Sequence, residues 1–258
     1  MIDLKKRLRD TIFSLGSWIT LGDGAVAEIL SRAGYDWLVV DMEHSAITLP
    51  QAQDLIRVIE LADVMPLVRV GENDPALIKR VMDAGAHGVI VPMVNSKDDA
   101  RKAVNAVRYP PRGTRGVGLA RAQGYGMTFE KYRRWAAQRS IVIAQIEHID
   151  AIRNLEEILS VEGVDGTIIG PYDLSGSLGH PGDFGRKDVK EALERYEDIC
   201  GKIKKPMGFH VVRPDAEAAG QYKAKGYAFL AVGLDTLYLA ENCARLVADV
   251  AGRRARRA

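Results

Sequence analysis

"AGYDWLVV" (33–40) is the stretch that decides the fold, because variants of it recur three more times along the chain. The other copies are "AGAHGVIV" (84–91), "EGVDGTII" (162–169) and "KGYAFLAV" (225–232), and each links a glycine through two residues to an apolar run. Glycine suits the left-handed position just past a helix end, so each copy predicts a helix-to-strand turn. The chain is therefore predicted to alternate helices and strands.

Eight apolar or β-branched runs can be counted, and they are continuous rather than alternating. Continuous runs are typical of parallel strands that are covered on both faces. The predicted strands are residues 13–20, 37–42, 65–70, 88–94, 141–147, 166–173, 206–212 and 227–233.

Amphipathic stretches between these runs predict helices. Asp74-Pro75 and Pro214-Asp215 are helix-start signals. The predicted helices are residues 49–62, 74–86, 96–109, 150–160, 186–203 and 214–226. Eight β/α units in 258 residues predict a (β/α)₈ TIM barrel, which is expected to form a single domain over residues 1–258.

A doubly wound open sheet is the alternative fold. No glycine-rich nucleotide fingerprint follows the first strand, and "GTRGVG" (113–118) has its glycines in the wrong order for one. The long segment 95–140 is predicted to be an irregular insertion that serves as a lid or a subunit contact.

Composition narrows the class of protein. The chain is 47% hydrophobic and 27% charged, with a formal net charge of +2, which gives no reason to expect a nucleic-acid partner. The only dense basic run, "RRARR" (253–257), is expected to be a solvated end. No signal peptide or membrane span is apparent, so we expect a cytoplasmic protein. Cys200 and Cys243 are expected to be buried free thiols in a reducing compartment.

Polar side chains gather at the C-terminal ends of the predicted strands, whereas the opposite ends carry mostly turn residues. In a barrel the C-terminal ends form the active-site face. The residues concerned are Trp18, Asp41, Glu43, His44, Arg69, Gln145, Glu147, Asp173 and His210.

Glu147 and Asp173 end consecutive predicted strands. Two neighbouring carboxylates in a pocket of low dielectric repel unless they are protonated or bridged by a cation, and hard oxygen ligands favour Mg²⁺ or Mn²⁺. The alternative is that each acid caps the helix that follows it.

Arg69 is a candidate clamp for a carboxylate or keto acid, or the partner of one of the nearby acids. His44 is the candidate proton carrier, with Asp41 positioned to hold its imidazole, unless it is a hydrogen-bonded structural residue. Predicted strands 1 to 6 contain no lysine, so a Schiff-base aldolase lacks its nucleophile. Metal-assisted chemistry on an oxygen-rich anion remains, in which a carbonyl is polarised and a proton moves at the adjacent carbon.

Several motifs together resemble the class II, metal-dependent pyruvate aldolases, such as 4-hydroxy-2-oxoheptanedioate aldolase and the 2-dehydro-3-deoxy-sugar-acid aldolases, in the superfamily of the citrate lyase β-subunit. The resemblance covers nearly the whole chain. Its motifs are "GSWITLGDGAVAEILSRAGYDWLVVDMEHS" (16–45), "LVRV" (67–70), "GVIVPMV" (88–94), "YPPRGTRGVG" (109–118), "QIE" (145–147) and "GPYDLSGSLGHPGDF" (170–184).

The resemblance implies a metal site in which Glu147 and Asp173 bind Mg²⁺, Mn²⁺ or Co²⁺. Gln145 would lie near the substrate keto oxygen or a bound water. Arg69 would polarise the keto oxygen and stabilise the enolate. Backbone amides from Gly170 through Pro171 and Tyr172 to Asp173 would hold the pyruvate carboxylate.

The same resemblance implies how protons move. His44, oriented by Asp41, would act as the acid and base, and Glu43 would support the site without binding the substrate. Trp18 would line the aldehyde pocket or simply pack at the barrel mouth. Tyr172 occupies a position where smaller residues are frequent in the family, which bears on the choice of aldehyde.

The implied reaction is the reversible retro-aldol cleavage of a 2-keto-4-hydroxy acid to pyruvate and an aldehyde. The alternative on the same scaffold is oxaloacetate decarboxylation or a related carbon–carbon lyase. A CoA-thioester lyase is less favoured because no adenine or phosphate site is evident in the sequence. An inactive binding barrel is less favoured because His44, Arg69, Glu147 and Asp173 are all present. The resemblance further implies a homo-oligomer, commonly a hexamer, in which the last helix (236–252) swaps between neighbours.

Overall fold

The computed structural model describes residues 1–252, and in it eight parallel strands close into a barrel in chain order. This confirms the predicted TIM barrel, and the open-sheet alternative is wrong. The strands are β1 (Ser14–Ile19), β2 (Trp37–Asp41), β3 (Met65–Arg69), β4 (Gly88–Val91), β5 (Ile141–Ile146), β6 (Gly166–Ile169), β7 (Gly208–Val211) and β8 (Phe229–Leu234).

Helices surround this barrel and connect its strands. They are α1 (Leu4–Arg9), α2 (Gly24–Ser31), α3 (Leu49–Leu61), α4 (Pro75–Ala84), α5 (Lys97–Val107), α6 (Phe129–Arg139), α7 (Ile149–Arg153), α8 (Leu155–Leu159), α9 (Pro171–Ser177), α10 (Lys187–Ile203), α11 (Ala216–Ala224) and α12 (Asp235–Ala251), with a 3₁₀ helix at Arg121–Gly126.

The four glycines of the repeat are all left-handed, as predicted. Gly34, Gly85, Gly163 and Gly226 have φ angles of 97°, 108°, 111° and 92°. In each copy the strand begins three residues later, at Trp37, Gly88, Gly166 and Phe229. The repeat therefore sets the helix-to-strand turn at four points of the barrel.

Alternate residues of each strand point into the barrel. On β2 these are Trp37 and Val39, which belong to the interior cluster, followed by Asp41 at the C-terminal end. Trp37 stacks on Phe229 with ring centroids 4.0 Å apart, and a Cβ on Gly16 would lie 2.2 Å from the Trp37 ring. The apolar layers therefore fill most of the barrel, with Ser14 accepting a hydrogen bond from the Trp37 indole inside it, and the charged groups gather at the C-terminal end.

Helix α1, which the sequence analysis did not predict, adds to the same interior cluster. Its Leu4 and Leu8 are 0% and 1% exposed and pack with the inward-facing strand residues. Asp3 caps the helix by accepting a hydrogen bond from the Lys6 amide. Because the charged groups gather at the other end of the barrel, α1 lies at its N-terminal end.

Three predicted segments differ from the structure. The segment 95–140 is not irregular throughout, since it includes α5, the 3₁₀ helix and α6. The strand predicted over 166–173 ends at Ile169, because Pro171 begins α9. The helix predicted over 150–160 divides at Asn154 into α7 and α8.

The cysteines are both free, but only Cys200 is buried. The prediction of a buried Cys243 is wrong because α12 buries only Asp235. Across residues 1–252, no helix is long and apolar enough to cross a membrane. The basic run 253–257 lies outside the described residues.

Candidate active site

A cavity of about 400 Å³ opens at the C-terminal end of the barrel. Nine of the predicted site residues line it, and they come from β1, β2, β3, β5 and the segments after β2 and β6. These nine are Trp18, Asp41, His44, Arg69, Gln145, Gly170, Pro171, Tyr172 and Asp173. The structure therefore gathers residues that are far apart in sequence around one space.

The cavity wall includes residues that the sequence analysis did not select. Thr20, Val212 and Leu234 line the cavity, as does His210, which was noted only as a polar strand residue. All four lie at or just after strand ends, which is the one sequence signal that could have found them. They form the side of the cavity that faces β1, β7 and β8.

Asp41 and Arg69 form an ion pair because the β2–β3 register places them side by side. The Arg69 Nε and Nη2 groups donate to the two oxygens of Asp41 at 2.9 and 2.6 Å. Asp41 also accepts hydrogen bonds from the backbone amides of Glu43 and His44. Burial alone would raise the pKa of Asp41, but the Arg69 guanidinium and these amides hold that pKa below its usual value.

His44 is therefore not oriented by Asp41, and that prediction is wrong in its geometry. Both oxygens of Asp41 are bound to Arg69, and only the backbone amide of His44 reaches the carboxylate. The imidazole Nε2 lies 3.8 Å from Oε2 of Glu43, and the His44 side chain is 64% exposed. The imidazole thus stands at the open mouth of the cavity, next to solvent.

Glu43 lies behind the cavity wall, between His44 and Arg69. Its Oε2 atom is 3.2 Å from Nη1 of Arg69 and, although buried, makes no hydrogen bond with the described residues. Burial raises the pKa of Glu43 to about 7, against the opposing effect of Arg69 and with the help of the neighbouring acids. Glu43 therefore takes up a proton more readily than an ordinary glutamate.

Glu147 is buried directly after β5 and is held on both oxygens. Oε1 accepts a 2.7 Å hydrogen bond from the backbone amide of Met93, and Oε2 accepts one from Nε2 of Gln145. Met93 has a positive φ of 51°, a conformation that its residue type does not predict. Burial raises the pKa of Glu147, and the nearby Asp173 adds to the effect.

The carboxylates of Glu147 and Asp173 converge on Gly170. A Cβ placed on this glycine would lie 3.3 Å from Oε2 of Glu147 and 3.9 Å from Oδ2 of Asp173. Neither acid caps a helix, because the N-cap residues of α7 and α9 are His148 and Gly170. The alternative that the two acids are helix caps is wrong, and His148 is the residue that caps α7.

The charges of this region favour a cation. Glu43 is repelled by Asp41, Glu147 and Asp173, and Glu147 by Asp173, while among the described residues Arg69 supplies the one guanidinium that lines the cavity. Within residues 1–252, no three His, Cys, Asp or Glu side chains are grouped so that they could hold a metal ion. Glu147 and Asp173 are two carboxylates whose oxygens converge beside Gly170, and carboxylate oxygens are ligands for hard divalent cations.

The expected carboxylate-binding amides are fewer than the sequence analysis implied. The Gly170 amide donates to the carbonyl oxygen of Ile146 at 3.0 Å, and Pro171 has no N–H group. Of the stretch from Gly170 to Asp173, only the amides of Tyr172 and Asp173 are left for a substrate carboxylate.

A larger cavity, of about 480 Å³, lies near α1 at the other end of the barrel. Its side chains are largely charged, but several already have partners: Lys5 bonds Asp165 and the Ser140 carbonyl, and Lys205 bonds the Val164 carbonyl. Cations are commonly placed near helix C-termini, which gather at this end of the fold. The smaller cavity, which Asp41, Arg69 and Asp173 line together, is the better candidate for chemistry.

Comparison with known proteins identifies the family of the chain. The family model described as HpcH/HpaI aldolase/citrate lyase matches residues 14–241. A pyruvate aldolase from Rhizobium etli is 40% identical over 251 residues, which cover 96% of each chain. A 2-dehydro-3,6-dideoxy-6-sulfogluconate aldolase from Pseudomonas putida is 40% identical over 242 residues, or 93% of this chain and 94% of the relative.

A solved structure also matches along nearly its whole length. The HpcH/HpaI aldolase/citrate lyase family protein from Burkholderia cenocepacia J2315 has a TM-score of 0.90 and 36% sequence identity, covering 96% of this chain and 98% of its own. The predicted family and the predicted class of enzyme, a carbon–carbon lyase, are both confirmed. The chain is a member of the HpcH/HpaI aldolase/citrate lyase family.

Proposed function

We propose that the protein is a metal-dependent pyruvate aldolase that cleaves a 2-keto-4-hydroxy acid to pyruvate and an aldehyde, and that also runs in reverse. The observation that carries the proposal is the convergence of the Glu147 and Asp173 carboxylates beside Gly170. Gly170 lines a cavity that the Arg69 guanidinium also lines. The relatives named above include an aldolase of pyruvate, which supports the assignment.

Glu147 and Asp173 would hold the divalent cation, Mg²⁺, Mn²⁺ or Co²⁺, which when bound supplies Lewis-acid polarisation of the keto and carboxylate oxygens of the substrate. The hydrogen bonds from Met93 and Gln145 fix the Glu147 carboxylate in advance. Ligand carboxylates that are already oriented lose less freedom when the ion arrives.

Arg69 is placed to stabilise negative charge on the keto oxygen. Asp41 takes two of its N–H groups and fixes the plane of the guanidinium, Nη1 also faces Glu43, and the N–H groups not taken by these acids would meet a substrate oxygen. In cleavage the electron pair of the C3–C4 bond passes to the pyruvate half as an enolate. A positioned guanidinium favours this step because it stabilises charge as the charge develops.

His44 is the proton carrier in this proposal. Its exposed imidazole would take the proton of the C4 hydroxyl during cleavage, as the C4 carbon becomes the aldehyde carbonyl, and return a proton in the aldol direction. A second proton, delivered to C3 of the enolate, completes the methyl group of pyruvate. Exposure lets the imidazole exchange its proton with solvent between turnovers.

The test is deuterium exchange into the methyl group of pyruvate, followed by proton NMR in D₂O. Metal-stripped protein is expected to exchange slowly, and added Mg²⁺, Mn²⁺ or Co²⁺ is expected to restore exchange. Glu147→Gln and Asp173→Asn should lose metal-dependent exchange while keeping the melting temperature of the stripped protein. Absence of exchange with every metal would overturn the proposal, and oxaloacetate decarboxylation would then be measured as the alternative reaction.

The active protein is a homo-oligomer, for which a hexamer is the expected form, with α12 exchanged between neighbours. The support is that α12 buries only Asp235 in its own chain, while Leu239, Leu246, Val247 and Val250 are 55%, 64%, 65% and 81% exposed. Apolar patches of this kind mark subunit contacts. The two free cysteines support a reducing compartment such as the cytoplasm.

A further inference from the structure

The indole of Trp18 is held in place by packing alone. Trp18 is 3% exposed, and its buried Nε1 group has no hydrogen-bond partner among the described residues. One neighbour is Arg69, whose guanidinium carbon lies 4.3 Å from the centre of the Trp18 ring. Such a contact is favourable and orients the cation, so the position of the ring bears directly on the position of the guanidinium.

The second neighbour of this indole is His210. The two ring centroids are 5.2 Å apart and the ring planes meet at 29°, a stacked arrangement. In the closed barrel, β3 lies two strands from β1 on one side and β7 two strands from β1 on the other. Arg69 and His210 therefore reach Trp18 from opposite sides of β1.

His210 is itself anchored to the backbone. Its Nε2 group lies 3.0 Å from the carbonyl oxygen of Gly233 and donates to it. Gly233 has a φ of 62°, and a Cβ there would lie 2.4 Å from the Tyr238 ring, so this turn is tightly packed. Tyr238 in turn donates to the Val232 carbonyl at 2.5 Å. The imidazole is thus bonded to a tightly packed turn at the end of β8.

The charge state of His210 suits a place near a guanidinium. Burial lowers the pKa of His210 to about 4, against the effect of its bond to Gly233 and with the help of Arg69. At neutral pH the imidazole is uncharged, donates through Nε2 and does not repel the cation on the other side of the indole.

We propose that His210 is a positioning residue, which fixes the indole of Trp18 so that Trp18 in turn holds the Arg69 guanidinium toward the substrate oxygen. The inference rests on the proposed function, because Arg69 matters here as the group that stabilises the enolate. His210 acts through Trp18 and needs no contact with the reacting atoms.

Two substitutions separate the hydrogen bond of His210 to Gly233 from the stacking of its ring on Trp18. His210→Gln keeps a donor near the Nε2 position but loses the stacked ring, and His210→Phe keeps a ring but loses the donor. The maximal rate of metal-dependent pyruvate exchange should fall about tenfold or more in His210→Gln, since small displacements of a catalytic group carry losses of this order. His210→Phe should lose less. The KM for pyruvate should change less than the maximal rate in both variants.

A double-mutant cycle with Trp18→Leu tests whether the two residues act in series. If His210 works through Trp18, the double variant His210→Gln/Trp18→Leu should be no slower than Trp18→Leu alone. Losses that multiply would overturn the proposal, as would a wild-type rate in both His210 variants. If His210→Gln does not fold, the same cycle is run with His210→Phe.

Phe209→Leu is the matched control, because Phe209 precedes His210 on β7 but stacks on Tyr222, with centroids 3.8 Å apart, in the core outside the barrel. It should lower the melting temperature and leave the maximal exchange rate of the folded protein unchanged. Failure of the proposed function is seen separately, because the wild-type protein would then show no metal-dependent exchange at all.

Discussion

At the scale of single residues, Gly170 occupies a position where a side chain would crowd Glu147 and reach ordinary contact with Asp173. A Cβ there would lie 3.1 Å from Cβ and 3.3 Å from Oε2 of Glu147, so the buried carboxylate would have to move. We expect Gly170→Ala to weaken the binding of Mn²⁺ by roughly 10- to 100-fold, as changes beside metal ligands commonly do. Isothermal titration calorimetry measures this directly.

Gly176→Ala is the control for that change. Gly176 lies on the same helix, α9, and its Cβ would meet only Pro181, at an ordinary 3.8 Å. Its Mn²⁺ affinity should equal that of the unchanged protein. Equal affinity in Gly170→Ala would show that the two acids do not bind the ion.

A second prediction at this scale concerns His210 and pH. The pKa of His210 is lowered to about 4 in the folded protein, whereas an unfolded histidine has a pKa of about 6.5. Between these two pH values His210 is therefore protonated in the unfolded chain and neutral in the folded protein, so acid favours unfolding. This contribution to the free energy of unfolding is complete above pH 6.5 and is lost as the pH falls toward 4. Urea unfolding at pH 5 and pH 8 should show a loss on the order of 1 kcal/mol that His210→Phe lacks.

The pH dependence of wild type must be compared with that of His210→Phe, because other groups titrate in the same pH range. Glu43, with its pKa raised to about 7, changes stability in the opposite direction, since its contribution is lost as the pH rises from about 4.5 to 7. The difference between wild type and His210→Phe removes that effect. Parallel pH profiles for the two would contradict the assignment of a neutral, buried His210.

At the scale of elements, α1 completes the interior core at the N-terminal end of the barrel. Leu4 and Leu8 are fully buried in the interior cluster. Truncation of a buried leucine removes apolar contacts and leaves a cavity, at a cost of about 2–5 kcal/mol. We expect Leu4→Ala and Leu8→Ala each to lower the free energy of unfolding by about this amount in urea titrations.

Lys6→Ala provides the comparison, since Lys6 lies on the exposed side of the same helix. Its free energy of unfolding should change by less than about 0.5 kcal/mol. If the leucine variants are equally mild, α1 does not stabilise the barrel.

Elements with strong local signals could be predicted from the sequence, and the others could not. The left-handed glycines Gly34 and Gly85 identify strand starts because the turn itself needs them. Helix α1 has only two apolar residues in its six, too few for a clear period. The first residues of α9 fall within the strand predicted over 166–173, because Pro171 closely follows an apolar run.

The residues of the candidate site could likewise be predicted from the sequence, but the contacts between them could not. Its composition could be predicted, since acids, Arg69 and His44 follow apolar runs. The pairing inside it could not, because proximity in sequence suggested an Asp41–His44 contact, whereas the β2–β3 register places Asp41 beside Arg69. A charge-assisted bidentate bond is stronger than a single contact to an exposed imidazole, so the register decides the partner.

At the scale of the whole molecule, α12 presents an unpartnered apolar face. Its exposed side chains include Leu246 and Val250, and we expect them to be covered by a second copy of the chain. Leu246→Asp/Val250→Asp should therefore dissociate the oligomer, because a carboxylate buried in an apolar contact is costly. Light scattering coupled to size-exclusion chromatography reports the mass.

Leu61→Asp on α3 is the control, since Leu61 is 81% exposed but belongs to another helix. It should leave the mass unchanged. Dissociation by Leu61→Asp but not by the α12 pair would place the subunit contact on a different face.

The closed barrel has a consequence for any such monomeric variant. Every strand from β1 to β8 is paired on both sides, so the described part of the chain presents no free sheet edge. Free edges are the usual templates for strand addition and fibril growth. A variant that has lost its oligomer would expose helix surface only, and it should resist conversion to amyloid-like aggregates even when concentrated.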